Sequence, residues 1–243
     1  EKPLADTMAN ARRMVAAARK ARRIYAVIQN RRYQAEIRAL RRLVESGALG
    51  RITTVQSNFF IAAHFGGFRD RMRHVLLLDM AIHTFDAARF ITGADAKAVY
   101  CHEWNPAGSW YDYDASAVAI FEMTGGIVYT YEGSWASEGK PTTWEAQWRI
   151  IGTKGTLLWD GASALEAEVV SGKTGFIRKT RRVKVPVKAL RRRGHDGVIG
   201  EFIDCVTRGG TPDTAARDNI KSLAMVHGSI ASADEGRRVR VEA

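Results

Sequence analysis

The chain has 243 residues, 46% of them hydrophobic, and a formal net charge of +11. That length supports one large core or two modest ones. No apolar run approaches the roughly 20 residues that span a bilayer, and Glu1-Lys2-Pro3-Leu4 lacks the basic-then-apolar order of a signal peptide. A soluble, cytoplasmic protein without membrane contact is expected.

Two cysteines, Cys101 and Cys205, have no CxxC spacing and read as small apolar residues in a reducing compartment. The charge is uneven: residues 1–50 carry net +8, residues 51–177 net −4 and residues 178–243 net +7. Arg12, Arg13, Arg19, Arg22 and Arg23, then Arg38, Arg41 and Arg42, sit at helical spacing and read as solvated faces. No helix-turn-helix, zinc-finger or RNP pattern accompanies them, so nucleic acid is not the expected partner.

Taken in chain order, Met8, Ala11, Val15 and Ala18 recur at helical steps from Thr7 to about Arg22, with Asp6 or Thr7 as the N-cap. Ile24 to Ile28 is a short apolar run, the reading of a parallel strand buried on both faces. A helix follows from Tyr33 to Ser46, with Gly47 at the position after its C-terminus. Ile52 to Ile61 reads as a strand, Ala62 to Met72 as a loop, and Leu76 to Ile91 as a helix closed by Thr92-Gly93.

Lys97–Trp104, Ser116–Met123, Ile127–Trp135, Thr143–Ile151, Thr156–Trp159 and Leu165–Val170 are aromatic and β-branched. Thr124-Gly125-Gly126 and Gly152-Thr153-Lys154-Gly155 break them, which predicts antiparallel hairpins. The basic stretch from Arg178 to Arg193 reads as tail-like. Helices over Gly197–Thr207 and Asp218–Asp234 and an edge strand at Arg238–Val241 close the chain. A parallel strand needs parallel neighbours, and each βαβ unit takes roughly 30 residues. The expectation is that residue 1 lies inside a domain.

Standard signatures are mostly missing: GxGxxG, HExxH and GxSxG are absent. Gly152-Thr153-Lys154-Gly155-Thr156 joins two strands and lacks phosphate-loop spacing. Two local features carry chemistry. Lys2 precedes Pro3 and is therefore extended or in a turn, before a helix and near the carboxyl edge of a parallel sheet, where ligands of such sheets bind. Read alone, it is a surface lysine. Asp79 and His83 are four apart on one helix face, with Leu78, Ile82 and Phe85 on the adjacent apolar one. A carboxylate one turn before a histidine favours the protonated form and suits general acid–base work. The competing reading is a polar pair on a core helix, and no third metal ligand declares itself.

The ordered set Glu1-Lys2-Pro3-Leu4, Asn30-Arg31-Arg32-Tyr33, Glu45-Ser46-Gly47-Ala48-Leu49-Gly50 and Leu77 to Asp86 resembles the glucose-fructose oxidoreductase / inositol dehydrogenase / MocA (Gfo/Idh/MocA) family. Arg89-Phe90-Ile91-Thr92-Gly93, the Gly152 to Leu157 turn and the Glu201 to Cys205 helix also fit. The likeness runs from residue 1 to about 241. It implies residues 1–32 as the C-terminal remnant of a Rossmann NAD(P)-binding domain, and 33–243 as a substrate-binding and oligomerisation domain. That second domain is an α/β unit with a large, mainly antiparallel sheet flanked by helices.

The resemblance implies Lys2, Asp79 and His83 as catalytic residues, with His83 taking the substrate hydroxyl proton. Lys2 steadies the charge developing on the same oxygen, and Asp79 orients His83 or binds a neighbouring hydroxyl. Glu1, Lys2, Asn30 and Arg31 are the implied cofactor contacts. His64, Trp110, Tyr111 and Trp135 are candidate substrate contacts, and no metal is expected. About 100 residues with the phosphate loop are expected upstream, so this piece alone should be inactive.

The implied activity is NAD(P)-dependent hydride transfer to or from a sugar, inositol or related polyol. The same likeness also admits an NAD-dependent glycosidase. A third reading is a non-catalytic binding relative. A homo-dimer or homo-tetramer through the sheet face is expected from the likeness and from the aromatic composition of the strands.

Overall fold

A computed structural model describes residues Glu1–Ala243. Helix α1 (Met8–Lys20) starts at Thr7, whose side chain accepts the Asn10 amide N–H at 3.2 Å. Satisfying one of the free first-turn donors in this way is the physical role of an N-cap. After a turn, Tyr25 to Ile28 runs extended. It makes one antiparallel bridge, Ala26 to Ala215, closed by Val27 N–H to Thr214 O and Ala216 N–H to Tyr25 O. No parallel strand lies beside it in the 243 residues, so only Val27 of the run is fully buried.

A 3-10 turn (Asn30–Tyr33) leads into α2 (Ala35–Glu45), whose Ile37, Leu40 and Leu43 face the core. Its arginines are not a solvated face. The Arg38 and Arg41 guanidinium groups lie 5.5 and 4.4 Å from the Phe90 ring centre, so they cover an aromatic surface and keep only part of their charge in water. The arginines of α1, by contrast, are exposed.

The centre of the molecule is a π-helical turn (Leu76–Ala81) continuing into α3 (Ile82–Thr92). It is almost wholly buried because its apolar residues face the sheet on one side and the helices α2 and α5 on the other. Gly93 ends it at φ +66°, donating its N–H to Arg89 O at 2.8 Å, a left-handed closure that glycine adopts without a Cβ penalty. The last two helices are α4 (Gly194–Arg208) and α5 (Ala216–Glu235).

Nine strands form one sheet: β1 (Ile52–Phe60), β2 (Ala96–Trp104), β3 (Ser116–Met123), β4 (Val128–Ser134), β5 (Gln147–Gly152), β6 (Gly155–Trp159), β7 (Leu165–Val170), β8 (Thr180–Val183) and β9 (Val239–Arg240). Their order is β8-β7-β6-β5-β1-β4-β3-β2-β9, and every pairing is antiparallel except the central β1–β4 pair. β8 falls within the basic stretch that read as a tail. β5 begins only at Gln147 because Thr143 to Ala146 folds back as a turn, with Ala146 at φ +63°.

Alternation across the strands separates two faces. The row Cys101, Ala119, Tyr131, Ser57, Trp148, Trp159 is buried. The neighbouring row Tyr100, Ile120, Thr130, Gln56, Arg149, Leu158 belongs to the opposite face, where Tyr100, Ile120 and Leu158 are 45%, 45% and 39% exposed. The helices cover only the first face, and one continuous core joins them to it. Both cysteines are free; Cys101 is buried, whereas Cys205 is only half-buried. No helix is long and apolar enough to cross a membrane.

Candidate active site

Where Lys2, the 3-10 turn, the π-helical turn and α4 meet, a cavity of about 250 Å³ opens. Glu1, Lys2, Ile28, Asn30, Arg31, Phe65, Arg69, Asp79, Met80, His83, Trp135, Trp144 and His195 line it. Two other cavities, about 220 Å³ beside α1 and about 460 Å³ on the open sheet face, contain no histidine. The cavity between Lys2 and His83 is the one of the three that brings imidazoles together with an ammonium and a carboxylate.

Asp79 and His83 share the cavity without bonding each other. Asp79 lies in the π-helical turn, and its carboxylate is taken up by Lys2 and Arg69. Its Oδ1 accepts Lys2 Nζ at 3.0 Å, its backbone carbonyl accepts the same ammonium, and its Oδ2 accepts Arg69 Nε at 3.1 Å. Asp79 therefore holds two cations and does not orient His83.

His83 Nδ1 meets Gln29 Oε1 at 3.2 Å. Part of the ring faces the cavity while protein surrounds the rest. Burial pushes its pKa well below the usual 6.5, and the charges of Arg31, Lys2 and His195 push it further the same way. This corrects the expectation that the upstream carboxylate favours imidazolium: desolvation and three basic neighbours outweigh a carboxylate already committed elsewhere. At neutral pH His83 is an unprotonated imidazole, a proton acceptor.

The 3-10 turn presents Asn30 and Arg31 to the cavity. Arg31 is buried, and its Nη1 donates to Glu145 Oε2 at 2.8 Å. Burial lowers its pKa, with Glu145 acting against that. The Asn30 side chain makes no hydrogen bond within the chain, so its amide is free for a ligand. Lys2 joins Pro3 through a cis peptide.

Of the aromatic candidates, only Trp135 lines the cavity, at 1% exposure and edge-on to Trp144 at 5.6 Å. His64 is mostly exposed, bonds Glu138 at 2.9 Å and stacks on Trp110 at 3.6 Å. Trp110 and Tyr111 both donate to Ala63 O, at 3.2 and 2.6 Å. These three pin the loop after β1 and stand outside the cavity, to which that loop contributes Phe65 and Arg69 instead. Sequence reasoning missed Gln29, Phe65, Arg69, Trp144 and His195. They come from four separate places in the chain, and only Gln29, next to Asn30, and Phe65, next to His64, had a neighbouring signal.

The chain is thus an α/β domain whose sheet is covered by helices on one face, with one small aromatic-walled cavity lined by two histidines, a lysine and two arginines. Comparison with known proteins gives that class a family. The GFO/IDH/MocA C-terminal domain matches residues 37–158. Protein y4oX of Sinorhizobium fredii is 28% identical over 100% of this chain and 69% of its own length. D-apiose dehydrogenase of Paraburkholderia graminis is 30% identical over 100% of this chain and 66% of its own. In fold, an oxidoreductase from Agrobacterium radiobacter, solved with NAD+, L-tartaric acid and magnesium, superposes with TM-score 0.82 at 24% identity, over 99% of this chain and 71% of its own. The chain belongs to the GFO/IDH/MocA family of oxidoreductases. It spans about two thirds of the length of these proteins.

Proposed function

We propose that the protein containing this chain is an NAD(P)-dependent dehydrogenase of a sugar, inositol or related polyol, with Lys2 and His83 at the reacting carbinol. The observation that carries the reading is one cavity lined by both an ammonium and an imidazole held in its neutral form. A neutral imidazole accepts the proton of a bound hydroxyl. The Lys2 ammonium, fixed by Asp79, donates to the same oxygen as negative charge gathers on it. Asp79 acts here as the anchor of Lys2 and Arg69.

Nicotinamide supplies the hydride acceptor when bound. The residues present fit that end of such a cofactor: Asn30 offers an unbonded amide on the cavity wall, and Glu1, Lys2 and Arg31 flank it. In this reading residues 1–32 complete the dinucleotide-binding domain and 33–243 form the substrate domain. D-apiose dehydrogenase, a relative 30% identical, supports a sugar substrate. Trp135, Trp144 and Phe65 supply the apolar wall against which a sugar's C–H face packs.

The test is full-length protein with Lys2→Ala or His83→Ala. Each should lose at least about 100-fold in turnover, the usual contribution of a positioned acid or base, while keeping its melting curve. Near-wild-type rates for both remove the site. Hydrolysis of aryl glycosides without net NADH release would replace the dehydrogenase with the NAD-dependent glycosidase. The reading extends to a homo-dimer or homo-tetramer through the open sheet face, supported by the exposed Tyr100, Ile120 and Leu158. Monomeric full-length protein in light scattering at micromolar concentration counts against that assembly.

A further inference from the structure

Behind His83 lies a line of buried polar side chains drawn from three elements. Asp86, on α3 one turn after His83, is 0% exposed; Asn219 on α5 is 1% and Gln29 is 0%. His83 Nδ1 meets Gln29 Oε1 at 3.2 Å, Gln29 Nε2 donates to Asn219 Oδ1 at 3.4 Å, and Asn219 Nδ2 donates to Asp86 Oδ1 at 2.7 Å. Arg32 holds the far end through Nε to Asp86 Oδ2 at 2.7 Å and Nη2 to Oδ1 at 2.6 Å.

Each link fixes the next. A carboxylate paired with a guanidinium only accepts, so Asn219 must turn its NH2 toward Asp86 and its carbonyl toward Gln29. Gln29 must then turn its own NH2 toward Asn219, which leaves its carbonyl facing the imidazole. A carbonyl also only accepts, so the nitrogen that meets it, Nδ1, carries the proton. Flipping any one amide would set two acceptors or two donors face to face in a place without water, at the cost of an unsatisfied buried polar group.

We propose that Asp86, Asn219 and Gln29 are positioning residues that lock His83 as its Nδ1–H tautomer, leaving Nε2 as the bare nitrogen that takes the substrate proton. The catalytic part of this inference rests on the dehydrogenase reading; the tautomer does not. In the step, the hydroxyl proton would move to Nε2 as the carbon–oxygen double bond forms, and a bound nicotinamide would supply the acceptor for the carbinol hydride and its two electrons. The relay reaches the carboxylate through two neutral amides. It thus fixes the ring without placing a negative charge against it, and the imidazolium formed gives up its proton easily. A carboxylate touching Nδ1 would hold that proton instead.

The experiment is 15N NMR of full-length protein labelled at histidine, followed by pH–rate profiles of Gln29 variants. Wild-type His83 should show a protonated Nδ1 and a bare Nε2. Gln29→Met, which keeps length but removes the acceptor, should bring in the Nε2–H form. It should also lower kcat by about 100-fold or more with KM little changed, as expected when the base presents the wrong nitrogen. Gln29→Glu restores an acceptor and should recover the Nδ1–H signal. It should also move the acid limb of the profile to higher pH, since it adds a carboxylate where Lys2, Arg31 and His195 otherwise face the ring.

An Nε2–H signal in the wild-type protein overturns the proposal, as does a Gln29→Met protein whose tautomer and pH profile do not move. A wild-type protein that shows the Nδ1–H form yet oxidises no polyol leaves the relay standing and sinks the dehydrogenase reading.

Discussion

Removing the carboxylate of Asp86 should be among the most damaging single changes in the molecule. Asp86 is fully buried and Arg32 is 5% exposed, joined by hydrogen bonds of 2.7 and 2.6 Å. Burial alone would depress the Arg32 guanidinium, yet Asp86, with Asp218 and Asp213 farther off, holds its pKa above the ordinary value. In Asp86→Leu that guanidinium keeps only the Asp213 carbonyl at 2.6 Å and the distant Asp218 at 3.6 Å. Asn219 and Ser222 also lose their acceptor.

Breaking a buried pair from one side costs about 3–5 kcal/mol, mostly the desolvation of the charge left behind. At about 2–4 °C per kcal/mol for a chain of this size, the melting temperature should fall by about 6–20 °C. Arg32→Met should behave similarly. The double variant should lose less than the two singles together, by about 1–3 kcal/mol, because no buried charge is stranded. Urea unfolding of the four proteins measures this cycle. Single losses below about 1 kcal/mol, or strict additivity, would refute the claim that a stranded charge dominates.

Other changes test other levels. Phe85→Ala removes a fully buried ring set edge-on against Phe121 and Tyr131 at 4.8 and 5.2 Å, and should cost about 3–5 kcal/mol in chemical denaturation. Gly152→Ala would place a Cβ 2.2 Å from the Leu49 carbonyl oxygen, a backbone atom that cannot swing away; a loss of about 1–3 kcal/mol is expected. The depressed pKa of His83 gives a definite sign: below about pH 6.5 the unfolded chain binds a proton there that the folded one refuses, so stability falls as pH drops through that range. His83→Asn should flatten that part of the unfolding-midpoint profile. His74 acts oppositely, because Glu103, bonded at 2.6 Å, raises its pKa. Its contribution is complete below about pH 6.5 and is lost as pH rises through the higher folded value, a dependence that His74→Gln should abolish.

Much of the fold was legible because its signals are local. Thr7 before Met8, Gly93 after Thr92 and the glycine turn between β5 and β6 mark boundaries through chemistry within a few residues. Residues Ser116–Met123 and Leu165–Val170 match strand boundaries because alternation there sorts one face from the other. The extended run at Ile24 says less, because an apolar pentapeptide states only that it is buried, not what lies beside it. The tail-like basic stretch misled because an edge strand can carry charge along its open side, as β8 does.

The sequence by itself determined the family pattern, the helix carrying Asp79 and His83, and the mainly antiparallel sheet, since each rests on residue type at short spacing. The tertiary structure decided which side chains meet. It committed Asp79 to Lys2 and Arg69, set Gln29 behind His83, sent His64, Trp110 and Tyr111 away from the cavity, and brought Trp144 and His195 to it. It also settled the charge state of the imidazole. A pKa follows from burial and from charges gathered from distant parts of the chain, and no spacing along a sequence records that sum.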